Sequence, residues 1–397
     1  MIKILFVDDQ KNILDGLRRM LHTMNGEWKM SFAESGADAL AMLENEEVDV
    51  LVTDMKMPAM DGFQLLNEVS ERYPQTIRII LSGYSEKEIN MKSVGIAHQY
   101  LSKPCETQVI KSTISRVCSL RNLLVGESLR RLVSQLHFVP SMPALYGQLV
   151  DELNGPDPST RRIGDIVRKD IGMTGKLLQI VNSAFFGLRR DVSDPKEAVE
   201  FIGVDTIKAL TLGLGVISQF EKFDSGCSFA EIWSHSLAVG TLANRIASME
   251  KRETAGDAFT AGLLHDIGNL VLTVNLPEKF NLVESMVRND RVLRSDAERE
   301  VFQATHPEVG AYLLGLWGLP ARVVQAVAFH HTPRDAKQDN FTPLTAIYAA
   351  DMIHQVNDPW VSDLDSQKID EEYFEEVGLK DRLPIWIEQF SELEVAA

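Results

Sequence analysis

The first 120 residues alternate between short apolar runs and longer amphipathic stretches. A short apolar run bounded by polar residues is typical of a buried strand, and apolar residues three or four positions apart are typical of an amphipathic helix. Strands that alternate with helices of this size predict a doubly wound, five-stranded parallel sheet with helices on both faces. The predicted strands are Ile2–Val7, Met30–Phe32, Val48–Thr53, Ile77–Leu81 and Gln99–Leu101, and the predicted helices are Asn12–Met24, Gly36–Asn45, Gly62–Arg72 and Glu106–Leu120.

From about residue 105 the pattern becomes helical and remains so. Residues 106–136 keep helical spacing, so we interpret them as a linker helix that overlaps the last helix of the first region, and Pro140 and Pro143 then mark a domain boundary. No convincing alternating strand follows, which predicts an all-α domain of non-bundle type. Its predicted helices are Ala144–Leu153, Thr160–Arg168, Gly172–Asn182, Asp194–Phe201, Asp205–Phe220, Phe229–Met249, Thr254–Leu272, Thr305–Trp317, Pro320–Val327 and Ala346–His354.

Composition and charge narrow the class of protein. Of the 397 residues, 45% are apolar and 24% charged, as expected for a globular chain of two or three domains. The net charge is −17, and residues 335–397 hold 15 acidic but only 4 basic side chains, which we interpret as a solvated acidic extension. Without a basic patch, nucleic-acid binding is disfavoured. Membrane-span, signal-peptide and disulfide patterns are not found, so we expect a cytoplasmic protein with no membrane partner.

Polar side chains follow the predicted strands at their carboxyl ends, where doubly wound folds place their sites. Asp8 and Asp9 follow the first strand, Asp54 the third, Ser82 the fourth and Lys103 the fifth. Three carboxylates at one sheet edge would repel one another unless Mg²⁺ or a lysine lay among them. A carboxylate beside Mg²⁺ and a lysine is also well placed to attack a phosphoryl group, although each residue alone would be an ordinary cap or turn residue.

This set of residues resembles the receiver domain of two-component response regulators over the whole segment. The acidic pair, the aspartate of the stretch Asp54-MKMPAMDG, the serine and the Lys-Pro pair all stand in the family's order. The resemblance implies a flavodoxin-like fold and a histidine kinase that phosphorylates Asp54. It further implies Mg²⁺ bound by Asp8, Asp9, Asp54 and the Lys56 carbonyl, a phosphate contact from Lys103, a switch pair of Ser82 and Tyr100, and a cis bond between Lys103 and Pro104.

The helical region is distinguished by its histidines. Imidazole and carboxylate are natural ligands for Mn, Fe or Zn, and His265 and Asp266, adjacent on one predicted helix, would project about 100° apart and face a metal between helices. Each histidine alone is more simply explained as a side chain at a helix end. The candidate ligands are His235, His265, Asp266, His306, His330, His331 and Asp351, whereas His22, His98, His137 and His354 match no pattern and are interpreted as structural.

The ordered set resembles the HD superfamily of metal-dependent phosphohydrolases, and more closely its regulatory relative, the HDOD domain. The stretches that carry the HDOD resemblance are Val181-NSA, Phe201-IGVDTIKAL, Gly262-LLHDIGN, His306-PEVGAYLLGLWGLP and Phe329-HH. His306, His330 and His331 match additional histidines of the cyclic-di-GMP phosphodiesterase branch, HD-GYP. That branch has lysine where this chain has Asn269, and its G-Y-P signature is replaced by Thr332-Pro333-Arg334. Both departures weigh against hydrolysis more than against metal binding.

Two functions therefore remain open. The favoured hypothesis is a non-enzymatic response regulator: a receiver at 1–121, the linker helix at 106–136, an HDOD domain at 133–335 that acts on unknown downstream proteins, and the acidic extension at 336–397. Phosphorylation would shift the receiver between two existing conformations, and the linker would transmit that shift or change a homodimer formed by the receiver or linker. The alternative is a metal-dependent phosphohydrolase for a nucleotide or cyclic dinucleotide.

Overall fold

The computed structural model groups the chain into two compact units, Met1–Met142 with Tyr312–Leu319, and Pro143–Ala311 with Pro320–Ala397. It describes residues 2–73, 76–82, 97, 99–103, 105, 107–111, 113–114, 127–133, 136, 138, 140, 142–155, 157–183, 186, 192–223, 229–357 and 370–390.

The first unit contains a five-stranded sheet in the order β2-β1-β3-β4-β5, and every neighbouring pair is parallel. The predicted doubly wound architecture is therefore confirmed. The strands are β1 (Ile2–Val7), β2 (Trp28–Ala33), β3 (Val50–Thr53), β4 (Ile77–Ser82) and β5 (Gln99–Ser102), and the helices are α1 (Lys11–Met20), α2 (Gly36–Asn45) and α3 (Gly62–Arg72), with residues 107–111 and 113–114 also helical.

The central strands are largely apolar because both faces of the sheet are covered. In β1, Ile4 and Phe6 contribute to one core, and Leu5 and Val7 contribute to the core on the opposite face. Alternate residues of a strand point to opposite faces, so a strand buried on both sides reads as a continuous apolar run. The first helix is shorter than predicted, because α1 ends at Met20 and a separate turn of 3-10 helix follows.

Among its described residues, the second unit consists of helices joined by turns and loops, with no strand. Its helices, with α4 from the preceding segment, are α4 (Glu127–Val133), α5 (Ala144–Asn154), α6 (Thr160–Arg168), α7 (Ile171–Val181), α8 (Pro195–Ile202), α9 (Val204–Phe220), α10 (Phe229–Glu250), α11 (Ala255–Leu264), α12 (Ile267–Asn275), α13 (Pro277–Asp290), α14 (Arg294–Phe302), α15 (His306–Leu316), α16 (Ala321–Ala328), α17 (Pro343–Asn357), α18 (Glu371–Glu376) and α19 (Leu383–Phe390). Among the described helices, none alone has the length and apolar character of a membrane span, although α8 and α9, bent by 119°, meet those criteria as a pair.

Two glycines allow α10 and α11 to cross at backbone contact. A Cβ atom on Gly262 of α11 would lie 2.6 Å from the Cα atom of Gly240 on α10, closer than any real Cβ contact. Because neither glycine has a side chain, the backbones of α10 and α11 approach closely near Gly262, just before His265. This crossing brings His235, which lies on α10, to the same place as His265.

The predicted helix Thr254–Leu272 is wrong as a single element. The structure divides it into α11 and α12, with His265 following the last residue of α11 and Asp266 preceding the first residue of α12. Asp266 has φ −96° and ψ 10°, outside the helical region, so the projection of the two side chains about 100° apart on one helix does not apply. At this break, Asp266 lies close to His265 after the end of α11, to His306 at the start of α15 and to His330 after the end of α16.

The acidic C-terminal segment is packed onto the helical domain by its aromatic residues. Tyr373, Phe374 and Trp386 are fully buried, and the Trp386 indole N–H donates to Glu250 at the end of α10 (3.1 Å). The Tyr373 hydroxyl lies 2.9 Å from that of Thr345 on α17. Within residues 370–390 the glutamates are exposed, so this part of the segment has an acidic outer surface and an apolar inner face.

Because Trp386 fills space in this core, Trp386→Ala should reduce the free energy of unfolding by about 3–5 kcal/mol, the usual cost of a cavity left by a large aromatic side chain. Urea denaturation would measure the change. The neighbouring Ile385 is 41% exposed, so Ile385→Ala serves as the matched control with a small effect. Equal stabilities of the two variants would contradict this packing.

Candidate phosphoacceptor and metal sites

Three of the polar residues predicted at the strand ends of the first unit lie together: Asp8, Asp54 and Lys103. The Lys103 ammonium donates to Asp8 Oδ2 (2.6 Å) and to Asp54 Oδ1 (2.7 Å), so one cation bridges the two carboxylates. Burial lowers the pKa of Lys103, but the hydrogen bonds to Asp54 and Asp8 outweigh it and leave that pKa above its ordinary value. The Lys56 backbone N–H donates to Asp54 Oδ2 (2.8 Å). Both oxygens of Asp54 are thus held in place by donors.

The loop after Asp54 is closed by a glycine. A Cβ atom on Gly62 would lie 2.1 Å from the Asp54 carbonyl oxygen, and the Gly62 N–H donates to the Met55 carbonyl (3.0 Å). Asp61 caps α3 and forms a reciprocal capping box with Gln64. The Asp-Gly pair of the motif therefore folds the loop back onto the backbone of Asp54, which explains why a residue with no side chain stands there.

Some predicted receiver residues cannot be compared with the structure. The side chains of Ser82 and Tyr100 lie outside the described residues, as does Pro104 and with it the predicted cis bond. Asp9 directly follows Asp8 beyond the end of β1, as predicted. Much of the predicted linker helix also lies outside the described residues, so its continuity stays a prediction.

In the helical unit, all seven predicted ligands come together from three helices, α10, α15 and α17, and from two turns, at residues 265–266 and 330–331. Asp266, His306, His330 and His331 form one group, and His235, His265 and Asp266 form a second; within each group the potential ligand atoms lie within 4.8 Å of one another. Asp266 belongs to both groups. Asp351 extends the second group, because its Oδ1 lies 3.3 Å from His235 Nε2.

The hydrogen bonds of two histidines determine which ring nitrogen can act as a ligand. His265 Nδ1 lies 2.7 Å from the Gly262 carbonyl, and His330 Nδ1 lies 2.8 Å from the Val327 carbonyl. A carbonyl only accepts, so Nδ1 carries the proton and Nε2 presents a lone pair. His330 Nε2 is buried without a hydrogen-bond partner. An orphaned imidazole acceptor that faces a carboxylate and three other histidines fits a divalent metal ion.

Burial and neighbouring charges favour the ligand-competent forms of His330, His331 and Asp351. Burial, and then the positive charge that His331 can carry, lower the pKa of His330 well below its ordinary value. Burial and repulsion from His306 lower the pKa of His331 to about 4. Burial raises the pKa of Asp351, but the contact with His235 outweighs it and lowers that pKa. Neutral imidazoles beside ionised carboxylates are the forms that bind metals. At His306, burial lowers the pKa, but Glu298 and Asp266 outweigh it and raise that pKa to about 9, so a metal ion there must displace a proton.

Two residues near the cluster were not predicted from the sequence, Glu298 and His354. Glu298 on α14 is fully buried and bonded to His306, but its surroundings in the sequence resemble an exposed charged helix and contain no signal. The His354 ring, interpreted as structural, stacks on the His235 ring with centroids 4.9 Å apart. Its position three residues after Asp351, on the same helix face, is a signal that could have identified it.

The residue that departs from the HD-GYP pattern contacts the shared ligand. The Asn269 side-chain amide donates to Asp266 Oδ1 (3.2 Å). Asn269 is a short neutral side chain within α12, and its contact is to the protein's own carboxylate. It therefore offers no positive charge to a phosphate at this position.

Gly268, the glycine of the His265–Gly268 motif, allows α12 to lie against the start of α15. A Cβ atom on Gly268 would lie 2.0 Å from the His306 carbonyl oxygen. Gly268→Ala must therefore displace His306, and we expect a loss of about 1–3 kcal/mol of stability together with weaker metal retention. Thermal denaturation and metal analysis would measure both. Gly147→Ala is the control, because nothing lies within 4 Å of a Cβ there, and equal behaviour of the two variants would contradict the contact.

The fold and these two clusters define a class of protein: an α/β domain with a cluster of carboxylates and a lysine at one sheet edge, followed by a helical domain with a cluster of histidines and carboxylates. Comparison with protein families agrees. The response regulator receiver domain matches residues 4–115, and the HDOD domain matches residues 139–333. The chain thus belongs to the proteins that combine a response regulator receiver domain with a C-terminal HDOD domain, which confirms both predicted family resemblances.

Two curated relatives each match part of this chain. An uncharacterized protein of Treponema pallidum is 24% identical over 60% of this chain and 47% of its own length. The uncharacterized transcriptional regulatory protein YesN of Bacillus subtilis is 35% identical over 30% of this chain and 32% of its own length. The chain covers less than half of either relative.

Among solved structures, an HDOD domain protein of unknown function from Geobacter sulfurreducens has a TM-score of 0.57 at 20% identity, covering 71% of this chain and 95% of that one. A putative phosphohydrolase from Shewanella amazonensis has a TM-score of 0.52 at 21% identity, covering 67% of this chain and 93% of that one. At these identities, both structures support the fold alone.

Proposed function

We propose that this chain is a response regulator in which Asp54 accepts a phosphoryl group from a histidine kinase, and that this reaction controls the HDOD domain. The observation that carries the proposal is the bridge from Lys103 to Asp8 and Asp54, with distances of 2.6 and 2.7 Å. It holds a nucleophilic carboxylate beside a fixed positive charge at the carboxyl edge of a parallel sheet. This is the arrangement that phosphoryl transfer needs.

In this reaction a carboxylate oxygen of Asp54 attacks phosphorus, the bond from phosphorus to the kinase histidine breaks, and an acyl phosphate forms. Lys103 offsets the charge of the incoming phosphoryl oxygens, and the Lys56 N–H restrains the Asp54 carboxylate. Asp8, Asp9, Asp54 and the Lys56 carbonyl fit the hard oxygen ligands of Mg²⁺, which would supply further charge neutralisation when bound. The protein's own contribution is orientation and electrostatics.

We further propose that the HDOD output acts by binding other proteins, or a second copy of this chain, rather than by turnover. His265, His306 and His330 are each 1% exposed, whereas His235, Asp266 and His331 are partly exposed, with 25% and 18% exposure of the first two side chains. The deep burial of the first three histidines favours a retained ion over a bulky dinucleotide substrate. Asn269 is also neutral, so it cannot make the contact with substrate phosphate that the lysine of the HD-GYP branch would make at this position.

The test is small-angle scattering and size-exclusion chromatography of the full chain, with Mg²⁺ alone and with Mg²⁺ plus beryllofluoride, an analogue of the bound phosphoryl group. The proposal expects a change in shape or oligomeric state that requires both reagents. Unchanged scattering and elution would contradict control of the output by phosphorylation.

A metal-dependent phosphohydrolase is the second candidate, and one observation favours it. The orphaned Nε2 of His330 and the two ligand groups that share Asp266 fit two divalent ions. Such ions would polarise a water and a phosphate oxygen when bound. Hydrolysis of phosphodiesters by protein loaded with Mn²⁺ or Fe²⁺ would support this function. If the metal-loaded protein hydrolyses no phosphodiester, the phosphohydrolase function is excluded and the cluster binds metal without catalysis.

A further inference from the structure

A fully buried carboxylate lies behind one of the candidate metal ligands. Glu298 has 0% of its surface exposed and accepts two kinds of hydrogen bond from His306, the first residue of α15. The backbone N–H of His306 donates to Glu298 Oε2 (2.9 Å), and the ring Nδ1 lies 2.8 and 2.9 Å from the two carboxylate oxygens. Glu298 thus holds both the backbone and the ring of His306.

These contacts determine the direction of the imidazole. An ionised carboxylate only accepts, so the proton lies on Nδ1 and the opposite nitrogen, Nε2, faces the cluster. His306 Nε2 lies 3.2 Å from Asp266 Oδ1 and 3.2 Å from His331 Nε2. Any rotation of the ring that took Nε2 away from Asp266 would break the contact with Glu298.

Glu298 differs from the corresponding partners of the other histidines. His265 and His330 each use a neutral backbone carbonyl at Nδ1, whereas His306 uses a charged side chain. A carboxylate behind a ligating imidazole orients the ring and increases the basicity of its ligand nitrogen. The effect should be strongest in the group of Asp266, His306, His330 and His331.

We propose that Glu298 is a positioning residue for a divalent metal ion held by Asp266, His306, His330 and His331. The inference rests on the proposed metal binding of the cluster. It goes beyond that binding because it predicts that the metal affinity of one ligand group depends on Glu298, whereas that of the other group does not. Loss of the Glu298 charge would weaken the ion beside His306 and spare the ion held by His235, His265 and Asp266.

The experiment measures the binding of Co²⁺ to the full chain by equilibrium dialysis and by visible absorption, for wild type, Glu298→Gln and Glu308→Gln. Glutamine keeps the size of the side chain but removes its charge. Glu308, on α15 with His306, accepts the backbone N–H of Thr305 (2.7 Å) rather than contacting a ligand, which makes it the matched control. Wild type and Glu308→Gln should bind two ions, and Glu298→Gln should bind one of them about 10–100-fold more weakly.

Selective loss of one absorption component with unchanged circular dichroism would support positioning, because a merely structural role would affect both ions or the fold. Two tightly bound ions in Glu298→Gln would overturn the role of Glu298 alone. Wild type that binds no ion would overturn the proposed metal binding and this role together.

If Glu298→Gln does not fold, nitrogen NMR of the histidine rings in the wild type decides the proposal. We expect His306 to keep a proton on Nδ1, shifted downfield by its carboxylate partner, while its Nε2 resonance responds to a diamagnetic ion such as Zn²⁺. In the Zn²⁺-loaded protein, a proton on His306 Nε2, or a response to Zn²⁺ at Nδ1, would overturn it.

Discussion

Asp54→Asn is expected to abolish phosphoryl transfer to this chain completely. The amide nitrogen is not a nucleophile, the remaining amide oxygen carries no full negative charge, and an acyl phosphate has no carboxylate on which to form. Asparagine has nearly the same shape, so the neighbouring loop and the start of α3 should persist. The same substitution should also remove the response to beryllofluoride, because that analogue needs the same carboxylate oxygen.

The measurement is incorporation of labelled phosphate from a histidine kinase or a small phosphodonor, followed by its alkaline release, since acyl phosphates are labile in base. Asp15→Asn, a surface aspartate on α1 that pairs with Arg18, is the control and should be labelled like the wild type. Labelling of Asp54→Asn at the wild-type level would show that another residue accepts the phosphoryl group, and the proposed function of the receiver site would fail.

The second large effect is expected at Asp266, the carboxylate that both ligand groups share. Asp266→Asn should remove most of the bound metal from both groups, because one substitution deletes a charged ligand from each. We expect affinity to fall by at least two orders of magnitude, which corresponds to about 2.7 kcal/mol or more. Any hydrolysis that the metal-loaded protein shows should be lost with it.

Metal analysis of protein purified without chelators, followed by titration with Mn²⁺, would measure this effect. Asp290→Asn, an exposed position at the end of α13, is the control. Retention of metal by Asp266→Asn would exclude the shared carboxylate as a bridging ligand. A change in affinity for only one ion would assign Asp266 to a single group.

The receiver architecture could be predicted from the sequence because its determinants are local. Each buried strand is an apolar run, each helix has its own periodicity, and the order of the elements along the chain restricts the topology. The predicted strand Ile2–Val7 and helices Gly36–Asn45 and Gly62–Arg72 agree with the structure residue for residue. The meeting of Asp8, Asp54 and Lys103 follows as well, because parallel strands place their carboxyl ends at one edge.

In the helical domain, the ends of the helices depend more on tertiary contacts, which leave no local pattern in the sequence. Helical periodicity continues through His265 and Asp266, so the sequence predicts one helix there. The break between α11 and α12 accompanies close backbone contacts at Gly262 and Gly268, which are visible only when the packed partner is known.

By itself, the sequence determined two domains, their classes, and the identities of the candidate phosphoacceptor and the candidate metal ligands. Only the tertiary structure brought Glu298 behind His306, stacked His354 on His235, and buried Trp386 of the acidic segment beside Glu250. The physical reason is the range of the interactions involved. Periodicity and caps act within a few residues, whereas burial of a carboxylate or an indole depends on side chains far away in the chain.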